Sequence, residues 1–226
     1  MEKIGKSKNT FKLYSLKNNC HSHSLNIRAI LNWSQLEWED IRLSDEELTK
    51  QLKEPNNFEF NKLPVLEYKN TFFSQPIAIE IYLARKLKLM GANIEDEYSI
   101  MSLLSSKNDF YSKLLPIIVP ADEKQLEAQE NNLKDFLNNF LPLTLKAFES
   151  RIKIKEGKYA LGEKLSLADF FYGIFLYVII KHPLRKILLE PILIENAPTL
   201  NNLMDRLASE EFKDFYLKIY NFDSLL

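Results

Sequence analysis

The sequence predicts an α/β domain followed by an all-α domain, and three observations carry that prediction. Up to Gly91 the local signals run β, α, β, α, β, β, α; beyond Glu95 no convincing alternating strand occurs; and the second half carries apolar residues at helical spacing. The expected divisions are a polar extension over residues 1–10, a first domain over 11–91 and a helical domain over 96–226, with Ala92 to Glu95 as the link.

Phe11 to Leu16 alternates well enough to form the first strand, and Ser24 to Trp33 offers Ile27, Ile30 and Leu31 on one helical face. Glu37 to Leu43 reads as the second strand. Ser44 with Glu47 three residues later is a capping-box pattern that opens the next helix. Val65 to Tyr68 and Thr71 to Phe73 are β-branched and aromatic runs separated only by Lys69-Asn70, which predicts an antiparallel hairpin. Pro76 then suits the first position of a helix, where a missing N–H is harmless, and Gly91 is expected to supply its left-handed cap.

In the second half, Ile100, Leu103, Leu104 and Tyr111 mark a helix expected to stop before Pro116. Leu133, Phe136, Leu137, Phe140 and Leu141 mark another, with Pro142 as the expected kink. Ser166-Leu167-Ala168-Asp169 places a hydroxyl at the cap and a carboxylate three residues on, ahead of a run that is apolar on every side and therefore belongs at the domain's centre. Leu200, Leu203, Met204 and Leu207, then Phe212, Phe215, Tyr216 and Ile219, give two closing amphipathic helices.

Composition excludes several classes. With 226 residues, 46% hydrophobic and 27% charged, the chain has ordinary globular composition, and a net charge of -1 makes no bulk electrostatic case for nucleic acid or an anionic membrane. The most apolar run, Phe170 to Ile180, is shorter than the roughly 20 residues of a membrane-spanning helix. One cysteine makes no internal disulfide, and no apolar signal peptide precedes Phe11, so the cytosol is the default expectation, with an uncleaved organellar signal as the alternative.

Leu63-Pro64-Val65-Leu66, Gln75, Ala78-Ile79 and Tyr82-Leu83-Ala84 together resemble the glutathione-site half of the cytosolic glutathione transferase family. The stretch Gly162 to Asp169 resembles the start of the central helix of that family's C-terminal domain, so the likeness spans about Phe11 to Tyr216. The resemblance implies a thioredoxin-like first domain, Pro64 in cis, glutathione as substrate or weak ligand with no other cofactor, and a homodimer by default. It also implies that the main chain of Leu63, before Pro64, pairs with glutathione as an added strand, with Lys62 and Gln75 near its carboxylates.

The chemistry-bearing positions depart from the family pattern. In the tyrosine classes the thiol-activating hydroxyl sits two residues after the leucine of a Lys-Leu-x-Tyr run; here Lys12-Leu13-Tyr14 places the tyrosine one residue early and Ser15 on the facing side. Tyr14 is expected in the core with a partner for its hydroxyl. Cys20 precedes the first helix and resembles the cysteine-type members related to glutaredoxins, although His21 stands where those carry proline. Ser15 and Cys20 are thus the catalytic candidates, each with a plain structural alternative. His21 and His23 match no strong zinc spacing and read as solvated loop residues, so no metal is assigned.

The family's Gln-Ser-x-Ala-Ile segment becomes Gln75-Pro76 here, which removes a hydroxyl and a backbone N–H from the γ-glutamyl carboxylate. At about 1.5 to 3 kcal/mol for each charge-assisted hydrogen bond, their loss weakens glutathione by about a hundredfold or more. Two function classes follow: a non-catalytic binding or structural module with a degenerate site in a larger protein assembly, and an active transferase using Ser15 or Cys20. The polar, lysine-rich stretch Met1 to Thr10 is expected to contact the partner of such an assembly.

Overall fold

The computed structural model describes residues 10–17, 23–53, 58–119 and 122–218. The chain divides into two compact units, one made of Met1–Leu89 with Asp214–Leu226 and the other of Met90–Lys213.

The first unit is a four-stranded mixed sheet in the order β2-β1-β3-β4 with helices. Strand β1 (Phe11–Leu16) alternates buried Phe11, Leu13 and Ser15 with half-buried Lys12, Tyr14 and Leu16, the period-2 signature of a central strand. It runs parallel to β2 (Trp38–Leu43), and the crossover between them carries helix α1 (Leu25–Trp33), buried from Leu25 through Leu31. Helix α2 (Asp45–Gln51) starts at the predicted box: the Ser44 hydroxyl accepts from Glu47 N at 3.2 Å, and Glu47 Oε2 accepts from Ser44 N at 2.8 Å.

Strands β3 (Val65–Tyr68) and β4 (Thr71–Ser74) form the expected hairpin. Lys69 and Asn70 both adopt positive φ, 51° and 61°, the pairing that matches the right-handed twist of the flanking strands. Leu43, Phe58 and Val65 pack with Tyr14, Ile41 and Phe72 into one core, and α1 lies against α3 (Pro76–Lys86), with Asn26 donating to Glu80 at 3.4 Å.

The cap expected at Gly91 is elsewhere. Helix α3 ends with Lys88 in the left-handed region at φ 60°, where Lys88 N donates to Arg85 O at 3.3 Å and Leu89 N to Ala84 O at 2.8 Å. That is a Schellman arrangement built on lysine, so the orphan carbonyls are satisfied three residues before the glycine. Gly91, at φ 83°, lies where an added Cβ would meet Asp96 Cβ at 2.3 Å, so its role is close approach.

The second unit is helical, and among its described residues the one extended pairing is the isolated bridge Tyr159–Gly162. Helix α4 (Ile94–Ile118) runs through Pro116 and does not stop before it. The proline sits in the last turn, where only one backbone bond is given up, and the ladder resumes with Val119 N donating to Leu115 O at 3.0 Å. Helix α5 (Leu126–Asp135) passes into a π turn (Phe136–Phe140) and then α6 (Leu141–Ile154), with Leu141 N bonded to Phe136 O. The irregularity expected at Pro142 is this widened turn just before it.

Helix α7 (Leu167–Phe170), a second π segment (Phe171–Leu176) and α8 (Tyr177–Lys181) form the central element, every residue from Leu167 to Leu176 being buried. Gly173 is required there: a Cβ would stand 2.7 Å from the Phe212 ring and 2.8 Å from Leu207 Cβ. Helices α9 (Pro183–Asn196), α10 (Pro198–Ser209) and α11 (Lys213–Lys218) complete the described chain; Ile219 lies outside it. No single helix among the described residues is long and apolar enough to cross a membrane.

Candidate functional site

Three strands bring the expected glutathione-site residues to one end of the sheet. Strand register pairs Tyr14 with Val65 and Val65 with Ser74, so the next residues along the three strands are Ser15, Pro64 and Gln75. The Leu63–Pro64 peptide is cis, as expected, and Pro64 is buried while Leu63 is half-buried and Lys62 exposed. Gln75 is exposed and holds φ 71°, a left-handed conformation that a β-carbon makes costly and that concentrates at binding loops. Pro76 follows as the first residue of α3, whose start has no side-chain cap.

Ser74, the residue in sequence reach of the donors lost at Pro76, adds a further feature. Its hydroxyl is buried beside this corner and has no hydrogen-bond partner among the described residues. Buried hydroxyls are normally paired, which makes this one an exception at the edge of the corner.

Tyr14 and Ser15 face opposite sides of β1, as strand alternation requires. The Tyr14 hydroxyl donates to Glu67 Oε2 at 2.6 Å, and Lys12 Nζ reaches Glu67 Oε1 at 2.8 Å. Burial, then the bond to Glu67 and its charge, hold the phenol far above its ordinary titration range. For Glu67, burial pushes upward, but the bonds from Lys12 and Tyr14 outweigh it and leave the carboxyl below its usual range. A tyrosine pinned in this way is a core hydrogen-bond donor and a poor activator of a thiol.

Ser15 is 1% exposed, and its oxygen accepts from Arg28 Nη2 at 2.8 Å. Arg28 Nε and Nη2 meet the Asp40 carboxylate at 3.0 and 3.1 Å, a bidentate pair. Burial lowers the Arg28 pKa and the Asp40 charge opposes that shift. This Ser15–Arg28–Asp40 network was not anticipated, but its signal is in the sequence. Asp40 is in register with Leu13 and so shares the face of Leu13 and Ser15, and Arg28 interrupts the apolar stripe of α1. A buried cation on α1 facing an anion on the same side of the sheet predicts a pair.

Cys20 and His21 lie outside the described residues, and His23 is half-buried just before α1. Among the described residues no group of three His, Cys, Asp or Glu side chains is placed to hold a metal ion. The Trp38 ring, half-buried on β2, is part of the sheet surface.

In the helical unit, Asp169 is 0% exposed, and its carboxylate accepts from Ala160 N, Ser166 N and Ser166 Oγ at 2.8, 2.8 and 3.0 Å. Burial pushes its pKa up to about 6, against the downward pull of those bonds. These groups join the loop after α6 to the start of α7 and form a structural clamp.

Comparison with known proteins agrees with this architecture. The family described as "Glutathione S-transferase, C-terminal domain" matches residues 108–218. Glutathione S-transferase 2 of Manduca sexta is 30% identical over 190 residues, which is 83% of this chain and 87% of that protein. Glutathione S-transferase S1 of Drosophila melanogaster is 29% identical over 186 residues, covering 82% and 69% respectively. Among solved structures, the Pi-class glutathione S-transferase of Onchocerca volvulus shares the fold with a TM-score of 0.76 at 23% identity, over 92% of each chain. By the extent and identity of the Manduca match, together with a thioredoxin-like sheet followed by a helical unit, this chain belongs to the cytosolic-type glutathione S-transferase family.

Proposed function

We propose that this protein is a glutathione-transferase-fold binding module in which the glutathione corner is weakened and catalysis is not the main role. The observation that carries this reading is Pro76 at the first position of α3, beside Gln75. A proline there presents neither hydroxyl nor N–H to a carboxylate at the helix start, the donors such a ligand needs. Ser15 supports the same reading, because its oxygen is committed to Arg28 and its surface is almost wholly covered.

The module's second attribute is a protein partner, either another copy of this chain or a different subunit. Helix α9 supports it: Leu184, Ile187, Leu188 and Ile194 are 64%, 81%, 53% and 53% exposed and lie at helical spacing along its outer face. An exposed apolar stripe of this kind is a common mark of a protein interaction surface. The expected contact through Met1 to Thr10 falls, apart from Thr10, outside the described residues. A chain with one cysteine suits a reducing compartment, so the cytosol is the expected setting.

An active transferase is the second reading, favoured by the relatives named glutathione S-transferases and by the Ser74 hydroxyl beside the same corner, unpartnered among the described residues. Under it, Ser15 or Cys20 would serve the glutathione sulfur, with Lys62, Leu63, Gln75 and the region of Pro76 around the peptide. One experiment separates the two: thermal melting with millimolar glutathione, run beside turnover of a generic electrophile. No turnover and a negligible shift in melting temperature are expected; a clear shift with turnover would favour the transferase.

A further inference from the structure

The helical unit carries a partly open cavity of about 240 Å³, lined by Ser99 and Leu103 of α4, Arg151 and Lys155 at the end of α6, Leu161 of the following loop, and Tyr172 of the central element. It shares no residue with the glutathione corner. Its chemistry is uneven in an informative way. The Tyr172 hydroxyl is buried, the residue being 1% exposed, and it has no hydrogen-bond partner among the described residues. An unpaired buried hydroxyl is rare, and the residue that carries this one lines the cavity.

The charges on the wall differ in their partners. Lys155 is neutralised by Asp96, at 2.7 Å. Arg151 bonds only neutral groups, the Ser99 carbonyl at 3.3 Å and the Ser102 hydroxyl at 2.8 Å, and no carboxylate pairs with it among the described residues. The cavity thus holds one uncompensated, half-buried positive charge and one unpaired hydroxyl donor, beside the apolar surfaces of Leu103 and Leu161.

The wall is also fixed in advance. Tyr159 and Gly162 exchange backbone bonds at 2.8 and 3.1 Å, and Gly157 approaches Gly162 so closely that a Cβ would stand 2.4 Å from its carbonyl carbon. Tyr159 is anchored in turn, its hydroxyl donating to Glu211 at 2.5 Å. A loop held this way loses little freedom when a ligand enters.

We infer that this cavity binds a small organic monocarboxylate with a compact apolar body, its carboxylate accepting from Arg151 and the Tyr172 hydroxyl and its body packing on Leu103 and Leu161. One unneutralised cation matches one negative charge, and the apolar walls favour an organic anion over an inorganic one. The size admits a single ring or a short chain. The inference does not depend on whether the glutathione corner is active.

Benzoate is a suitable probe, titrated into the full chain and followed by heteronuclear NMR. Saturable binding with a dissociation constant on the order of 1 mM or tighter is expected, with shifts at the amides of Ser99, Leu103 and Leu161 and no competition from excess glutathione. Benzamide, the neutral counterpart, is expected to bind at least tenfold more weakly, and Arg151→Gln and Tyr172→Phe each to weaken benzoate by about tenfold. Should either variant fail to fold, Leu161→Trp provides the same test by filling the cavity. Absence of saturable binding, shifts that map elsewhere, displacement by glutathione, or equal affinity for benzamide would each overturn the inference and leave a hydroxyl satisfied by water alone.

Discussion

Helices α2 and α7 both open with a serine followed three residues later by an acid, yet one box stands in water and the other in the core. At α2, Glu47 is exposed and closes its box with Ser44 on the surface. At α7, Asp169 is completely covered and takes in Ala160 N from a separate loop besides both donors of Ser166. The same four-residue pattern therefore starts a helix in one place and ties a loop to the core in the other. Burial makes the difference, because donors removed from water have no substitute when their acceptor is lost.

The two boxes separate most sharply at Asp169. Asp169→Ala strands three donors in the core, and a loss of about 3–5 kcal/mol is expected, by analogy with the cost of breaking a buried charged network. Thermal or urea denaturation reads it directly; a loss under about 1 kcal/mol would mean that the two boxes are equivalent after all.

The acid also carries a pH signature that the exposed box lacks. Its folded-state pKa is pushed up to about 6, above the ordinary value of 3.8, so the folded chain holds a proton more tightly than the unfolded chain between those values. The corresponding stability is present below about pH 4 and is lost as pH rises towards 6, on the order of 3 kcal/mol across that interval. Urea midpoints measured at steps across that window, in the wild type and in Asp169→Asn, should differ in slope. Parallel curves would remove Asp169 as the source.

Helix α3 supplies a third kind of start, with Gln75 at a strained φ, no side-chain cap and Pro76 behind it. Pro76→Ser restores a hydroxyl and an N–H at the position where the family holds the γ-glutamyl carboxylate, and glutathione affinity is expected to rise at least tenfold with the fold intact. Calorimetry checks this. An unchanged affinity would shift attention to Ser74, whose buried hydroxyl offers a donor of its own.

The smallest effect belongs to the surface box. Ser44→Ala is expected to cost about 0.5–1 kcal/mol, the ordinary worth of a serine cap in solvent. Its ratio to the Asp169→Ala loss, measured under one buffer condition, is the quantity that sharpens the comparison.

Much of this was readable from the residues because the governing interactions are local. The strand from Phe11 to Leu16, the Lys69-Asn70 turn and both capping boxes follow from neighbours within a few positions. Pro116 and Gly91 show where locality misleads: a proline is tolerated in a helix's last turn, and Lys88 took the left-handed position because Leu89 and Ala84 could complete the cap. The candidate sites divide the same way. The sequence by itself determined that Tyr14 and Ser15 face apart, that Pro76 removes donors beside Gln75, and which family's pattern the chain follows. Only the tertiary structure decided what those faces meet: Glu67 for Tyr14, Arg28 with Asp40 for Ser15, and no described residue for the hydroxyls of Ser74 and Tyr172. Those partners come from residues 12 to 53 positions away, from Ser15 with Arg28 and Arg28 with Asp40 to Tyr14 with Glu67. A spacing rule sees one helix turn or one strand step, and burial, which sets the worth of every such bond, is a property of the packed chain alone.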